Sequence, residues 1–255
     1  MHLFSLAFAN IIVAMMLGGV IGGWLPLVFR PMFADSLNVQ LLSYRAVLVV
    51  GALLYFVSLL PLALIKEGKD EQREGRDENG RATPQGESIA YKFALNSLLI
   101  GLGAGLVVPF FNLYFYRRFE CSTEQIGLFI AIAHGMMALA VLTGPILSRR
   151  FGKLRAIVGI QLSSLPFLLV LGISRLLPLS LIAYWARAAL MNTPAPITSN
   201  LMMDLLPERR RATVNSLTIA VGSLGRAFAT LAGGWMIQES GWAAPFLTTS
   251  LLYAM

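Results

Sequence analysis

The apolar residues of this chain gather in eight long runs that carry almost no charge: residues 3–29, 46–65, 93–116, 125–148, 156–174, 176–203, 212–238 and 240–255. Seven of them are 19 to 28 residues long and the last has 16. An α-helix needs about 20 apolar residues to cross a hydrocarbon core about 30 Å thick. Inside lipid the backbone must satisfy its own hydrogen bonds, which selects helices over open strands. Strict apolar–polar alternation, the mark of a membrane β-barrel strand, is absent. The pattern therefore predicts an all-α, polytopic membrane helix bundle. The first run is too long, and followed by too many others, to be a cleaved leader. The last would span about 24 Å at 1.5 Å per residue, short of a full crossing.

Between the second and third runs lies the one extended polar segment. Residues 66–92 hold 13 charged residues in 27, with Gly, Gln and Pro among them. Such a segment cannot pack a core and is expected to be a charged linker. It divides the chain into residues 1–65, which hold two helices, and residues 93–255, which hold six. An internal echo agrees with a six-helix unit used twice: Gly22-Gly23-Trp24 in the first run and Gly233-Gly234-Trp235 in the seventh lie six helices apart. On that reading residues 1–65 are the last two helices of an N-terminal bundle. Four helices are then expected upstream, and the twelfth helix is cut short.

Composition sharpens the class. Charged residues make up 13% of the 255 and apolar residues 56%, with mean hydropathy +0.70. An ordinary soluble domain carries about 25% charged residues, so a soluble enzyme or a disordered chain is excluded. The net charge of +7 follows topology rather than a nucleic-acid groove. Of 20 Lys and Arg, 13 fall in the connections after the second, fourth and sixth runs, 5 in those after the odd-numbered runs, and two, Arg187 and Arg226, inside runs. The positive-inside rule places the 13-residue set in the cytoplasm of a cell-membrane protein. Cys121, in the connection after the third run, is then expected outside and open to an impermeant thiol reagent.

Chemistry-bearing residues are few. There are two histidines and one cysteine, no metal-ligand spacing and no phosphate-binding glycine loop. No Asp or Glu lies inside any run. An enzyme is therefore not expected, nor a cofactor. Polar groups inside the runs are the candidates for function: Asn96 and Asn112 in the third, His134 in the fourth, Gln161 in the fifth, Tyr184, Arg187, Asn192, Thr193 and Asn200 in the sixth, and Arg226 in the seventh. Gln161 and Asn200 fit interhelical hydrogen bonding. Pro194 and Pro196 are expected to bend or unwind the sixth run. Arg187 lies about 16 Å, Arg226 about 21 Å and His134 about 13 Å along their helices. All three fall in the middle third of the core. An arginine at such depth costs at least about 2.5 kcal/mol and requires a partner. No run offers a carboxylate. The partner is then a substrate anion, a carboxylate on another helix, or helix-end carbonyls. His134 fits either a packing residue or a proton relay.

Three features resemble the major facilitator superfamily of secondary transporters, from about the fifth to the twelfth helix of that fold. The first is the charged segment 66–92, placed like the loop between the family's sixth and seventh helices. The second is Leu147-Ser148-Arg149-Arg150-Phe151-Gly152-Lys153, similar to the family signature Gly-x-Leu-Ala-Asp-Arg-x-Gly-Arg. Pro145 stands where the Gly would be and Arg149 where the Asp would be, so the charge latch that the Asp supports in the family is in doubt. The third is Pro207-Glu208-Arg209-Arg210-Arg211-Ala212-Thr213-Val214-Asn215-Ser216, similar to the approach to the eleventh helix. Gly18-Gly19-Val20-Ile21-Gly22-Gly23 resembles the Gly-Pro-x-x-Gly-Gly run of proton-coupled exporters, with Gly19 replacing the Pro; the same glycines fit close helix packing. Ser223-Leu224-Gly225-Arg226-Ala227 resembles a common family stretch, in which Arg226 would serve structure.

The resemblance implies a carrier that moves a small solute by alternating access around a mid-membrane site. Arg187, Asn192, Asn112, Tyr184, Arg226 and His134 are the expected binding residues. Arg150, Gly152 and Lys153 are the expected gating residues in the loop, where the bare alternative is a topology anchor. Two basic mid-membrane side chains point to an anionic substrate. The expected partners are the solute, the lipid bilayer and, where transport is coupled, an ion. The complete protein is expected to be a monomer. The competing reading is a membrane sensor or assembly protein that keeps the fold without transporting.

Overall fold

The computed structural model describes residues 2–34, 38–60 and 84–254. Among these there are eleven α-helices and no strand. They are α1 (His2–Phe29), α2 (Val39–Val57), α3 (Pro84–Val107), α4 (Phe111–Phe119), α5 (Thr123–Phe151), α6 (Lys153–Ser163), α7 (Leu165–Ile173), α8 (Leu177–Asn192), α9 (Pro194–Leu205), α10 (Glu208–Ser240) and α11 (Ala243–Ala254). Six helical segments among the described residues are long and apolar enough to cross a membrane, and α11 is a shorter apolar helix. The expected linker lies outside the described residues up to residue 83. Its remainder is helical, because α3 starts at Pro84, where a ring with fixed φ and no N–H suits the first turn.

The chain divides into two compact units. One comprises residues 17–81 and holds the later part of α1 and α2; the other comprises residues 1–16 with 82–255. In this second unit the start of α1 lies on α5. Ile12 is buried with Ala138 and Val141, and Phe8 and Met137 pack against them. The candidate site belongs to the same unit.

Three of the predicted spans are interrupted, each at proline. A 3-10 turn at Val108–Phe110, containing Pro109, separates α3 from α4. Ser164, just before Leu165-Pro166, separates α6 from α7. Thr193 separates α8 from Pro194 at the start of α9. The last interruption is a break without unwinding: Thr193 keeps a helical φ of -56° and ψ of -38°. Its N–H and hydroxyl both donate to the Ala189 carbonyl. Proline removes a backbone donor and crowds the preceding turn, so each break follows from the sequence.

Helices α3 and α10 approach until their backbones nearly touch. A Cβ at Gly101 would lie 2.2 Å from the Gly222 carbonyl oxygen, and one at Gly105 would lie 2.3 Å from that of Arg226. Ser97 Oγ donates to the Thr218 carbonyl at 2.8 Å across the seam. With no hydrophobic drive between helices in lipid, small residues supply this close van der Waals contact.

The end of the bundle opposite the basic loops is tied by an aromatic cluster. Tyr114 and Phe115 are fully buried. Tyr114 meets Phe119, Trp242 and Phe246 edge-on. Its hydroxyl donates to the Leu171 carbonyl at 2.8 Å. Arg118 donates twice to the Ser174 carbonyl, at 3.0 and 2.7 Å. These are acceptors at the C-terminal end of α7, which has no following turn to satisfy them. Cys121 lies beside this cluster and is 3% exposed. Burial also pushes its thiol up from the usual value. The expectation that an outside reagent would reach Cys121 is therefore corrected: a connecting position does not keep a side chain open when the cluster folds over it.

At the other end, α5 reverses into α6 at a single residue. Gly152 sits at φ +82°, a conformation that side chains resist. The Ser122–Gln125 capping box starts α5, with each side chain meeting the other's backbone N–H.

Candidate functional site

Arg187 sits near the middle of α8 and is 5% exposed. Its guanidinium carbon lies 5.5 Å from the centre of the Phe111 ring, the first residue after the break in the third span. Phe111 in turn packs on Tyr184 with ring centres 4.6 Å apart. Tyr184 lies one turn before Arg187, and its field is felt at the Tyr184 hydroxyl. From α11, the Tyr253 hydroxyl lies close to Arg187 and also within the field of Arg226. Tyr253 itself donates to the Ile100 carbonyl at 3.4 Å. The guanidinium thus lies over one aromatic face, that of Phe111, with the Tyr253 phenol close by. Its Nε is buried without a hydrogen-bond partner. Among the described residues it pairs with no carboxylate.

Tyr253 joins this cation to open space. With Asn96, Ile100, Gln161 and Met191 it lines a cavity of about 190 Å³. The same Asn96, Ile100, Gln161 and Met191 line a second cavity of about 300 Å³ toward the basic end, which adds Thr198, Asn215 and Thr218. Thr218 Oγ1 is buried there without a partner. The combined lining is amides and hydroxyls on an apolar frame, a surface able to orient a polar solute without adding net charge.

The other expected site residues are placed differently. Arg226 is exposed on α10 and lines a separate groove of about 510 Å³ with Ser97, Gly101, Gly222, Ser223 and Thr230. His134 is half-buried on α5, and its Nδ1 makes no hydrogen bond. Asn192 donates its amide to the Ala188 carbonyl one turn back, at 2.8 Å. Asn112 is exposed on α4, next in sequence to Phe111. Neither His134, Asn192 nor Asn112 lines the two cavities beside Tyr253. Phe111, Tyr253, Asn215 and Thr218 escaped the reading of the sequence. Phe and Tyr are routine in an apolar run, and Asn215 and Thr218 sit close after a basic loop. Their helical register alone does not say that they face a cavity.

The loop residues form two sets. Lys153, the first residue of α6, donates to the Asn200 amide oxygen and pairs with the Asp204 carboxylate on α9. Asn200 thus makes the interhelical bond expected of it. Arg150 lies over the ring of Phe151, 5.4 Å from its centre. Gly152 supplies the reversal between them.

Comparison with known proteins places this architecture. The sequence model of the family described as Major Facilitator Superfamily matches residues 93–255. A cis,cis-muconate transport protein of Acinetobacter baylyi (strain ATCC 33305 / BD413 / ADP1) is 28% identical over 163 residues, which are 62% of this chain and 38% of that protein. The crystal structure of the human organic anion transporter MFSD10 (TETRAN) superposes with a TM-score of 0.58 at 22% identity, over 98% of this chain and 66% of that one. This chain therefore spans well under half of the muconate transport protein and about two thirds of the human one. The helices of the described residues, the proline breaks and the single-residue reversal at Gly152 accord with that match over residues 93–255: this is a multi-pass integral membrane chain that belongs to the Major Facilitator Superfamily.

Proposed function

We propose that this chain is part of a secondary transporter for a small organic anion, and that Arg187 binds the anionic group. The observation that carries the reading is a buried guanidinium that keeps a free donor at Nε and has no carboxylate among the described residues. Such a group is expensive in a membrane unless it meets an anion. Its planar fork suits a carboxylate, which accepts two parallel hydrogen bonds. Phe111, Tyr184 and Tyr253 hold the fork in place, and the amides of Asn96 and Gln161 take the polar remainder of the solute. Arg226 adds a second positive field on the far side of Tyr253. The similarity to a muconate transport protein supports a carboxylate substrate.

In this reading the solute reaches its site by alternating access, with two bundles rocking around it. The Lys153 pairing with Asp204 and Asn200 ties α6 to α9 at the basic end and holds that end closed. The basic loops face the cytoplasm of a cell-membrane protein. A coupled ion would enter through the same cavities.

The test uses the full-length gene carrying this chain, in cells or in proteoliposomes, with radiolabelled organic acids as probes. Arg187→Gln removes the charge, and Arg187→Lys keeps the charge but loses the fork. Uptake of the transported acid should fall at least about tenfold in the Gln variant, the loss of one hydrogen bond to a charged group. Normal uptake by both variants, with folding and membrane insertion unchanged, overturns the assignment.

A further inference from the structure

At the basic end, a groove of about 490 Å³ runs between α5, α6 and α8, away from the cavities beside Tyr253. Arg150, at the end of α5, and Arg155, in the first turn of α6, stand at its upper rim. Both are exposed, and neither pairs with a carboxylate among the described residues. Below them the walls are Leu147, Ile160 and Leu190. From Arg155 to Ser163, the deepest lining residue of α6, the groove descends about 12 Å along the helix. A Cβ at Gly159 would meet nothing within 4 Å, so the groove is open at its centre. On the same helix Leu154, next to Arg155, is an exposed apolar side chain, while Val158 and Leu162 line the cavity beside Tyr253.

We propose that this groove is a binding site for an anionic phospholipid: Arg150 and Arg155 hold the phosphate, and Leu147, Ile160 and Leu190 receive an acyl chain. One feature chooses a lipid over a free phosphate. The cationic rim continues into an apolar trough, which an inorganic anion would leave unfilled. Paired cations at the level of the headgroups above an apolar slot match the charge order of a phospholipid from headgroup to tail. Arg150 is pre-positioned by its stacking on Phe151, which lowers the cost of ordering it. The site is independent of the substrate reading. Through Gly152 it abuts Lys153, whose pairing with Asp204 braces α6 to α9, so an occupied groove would steady the α5–α6 reversal.

The experiment is native mass spectrometry of the purified chain in detergent. It is titrated with palmitoyl-oleoyl phosphatidylglycerol, with phosphatidylcholine of the same chains, and with glycerol 3-phosphate. Phosphatidylglycerol should be retained at one tight site, at least about tenfold more tightly than phosphatidylcholine. Glycerol 3-phosphate should neither be retained nor compete. Arg150→Gln with Arg155→Gln should weaken the site about thirtyfold, two surface cations' worth. Gly159→Leu fills the open centre while keeping both arginines and should weaken it about tenfold, one acyl segment displaced. Both changes fall at exposed positions, and circular dichroism with size-exclusion chromatography checks that each variant is folded. Equal retention of the two lipids, competition by glycerol 3-phosphate at equal concentration, or unchanged phosphatidylglycerol binding in either folded variant overturns the proposal.

Discussion

Replacing Arg187 by Met separates a binding arginine from a structural one. The substitution removes a buried charge, which within a membrane costs at least about 2.5 kcal/mol. It forfeits the cation–π contact with Phe111, about 2 kcal/mol for a desolvated pair. The Tyr253 hydroxyl keeps the Ile100 carbonyl, so no orphaned group is left behind. The thioether refills the space against Phe111 with a favourable sulfur–aromatic contact. These changes nearly cancel, and the stability of the purified protein should move by no more than about 1–2 kcal/mol, as the insertion and contact terms offset. Specific uptake of an organic acid should nonetheless fall by at least about tenfold. Were Arg187 one half of a buried ion pair, its removal would cost about 3–5 kcal/mol. Denaturant titration in detergent and proteoliposome uptake, normalised to folded protein, read the two quantities separately. A stability loss above about 3 kcal/mol with uptake per folded molecule intact would refute the reasoning.

Three further outcomes are expected. Tyr114→Phe leaves the Leu171 carbonyl and Ser180 hydroxyl without their buried partner; thermal melting in detergent should show a loss of about 1–3 kcal/mol, and no loss would mean that water replaces the phenol. Gly101→Ala drives a methyl onto the Gly222 backbone, where no side chain can move aside; stability should fall by about 1–3 kcal/mol, and an unchanged melting curve would deny the close α3–α10 seam. Arg175 is exposed at the end opposite the basic loops, so Arg175→Cys in a Cys121→Ser background should react with an impermeant maleimide on intact cells, whereas native Cys121 should label slowly. Because burial raises the Cys121 thiol, its thiolate is scarcer than usual at neutral pH, and labelling should speed up as pH rises through that raised value; brisk labelling of Cys121 at pH 7 would contradict its burial.

The order of apolar runs and basic loops was enough to determine an all-helical membrane bundle, because a backbone in lipid must close its hydrogen bonds within each segment. Proline positions also marked the break at Thr193, since a missing N–H acts locally. What the sequence could not decide was direction around each helix and contact between helices. Asn112 and Asn192 read as site residues by depth and polarity, yet one is exposed and the other bonds to its own helix. Phe111 and Tyr253 read as ordinary apolar positions, yet they frame the buried guanidinium. Cys121 sits in a connection and is buried all the same. The surroundings of the guanidinium depend on which neighbours pack across a seam, and these lie more than 60 residues away in the chain: Phe111 and Tyr253 from Arg187. Periodicity within one segment carries no record of such pairings; only the folded bundle brings them together.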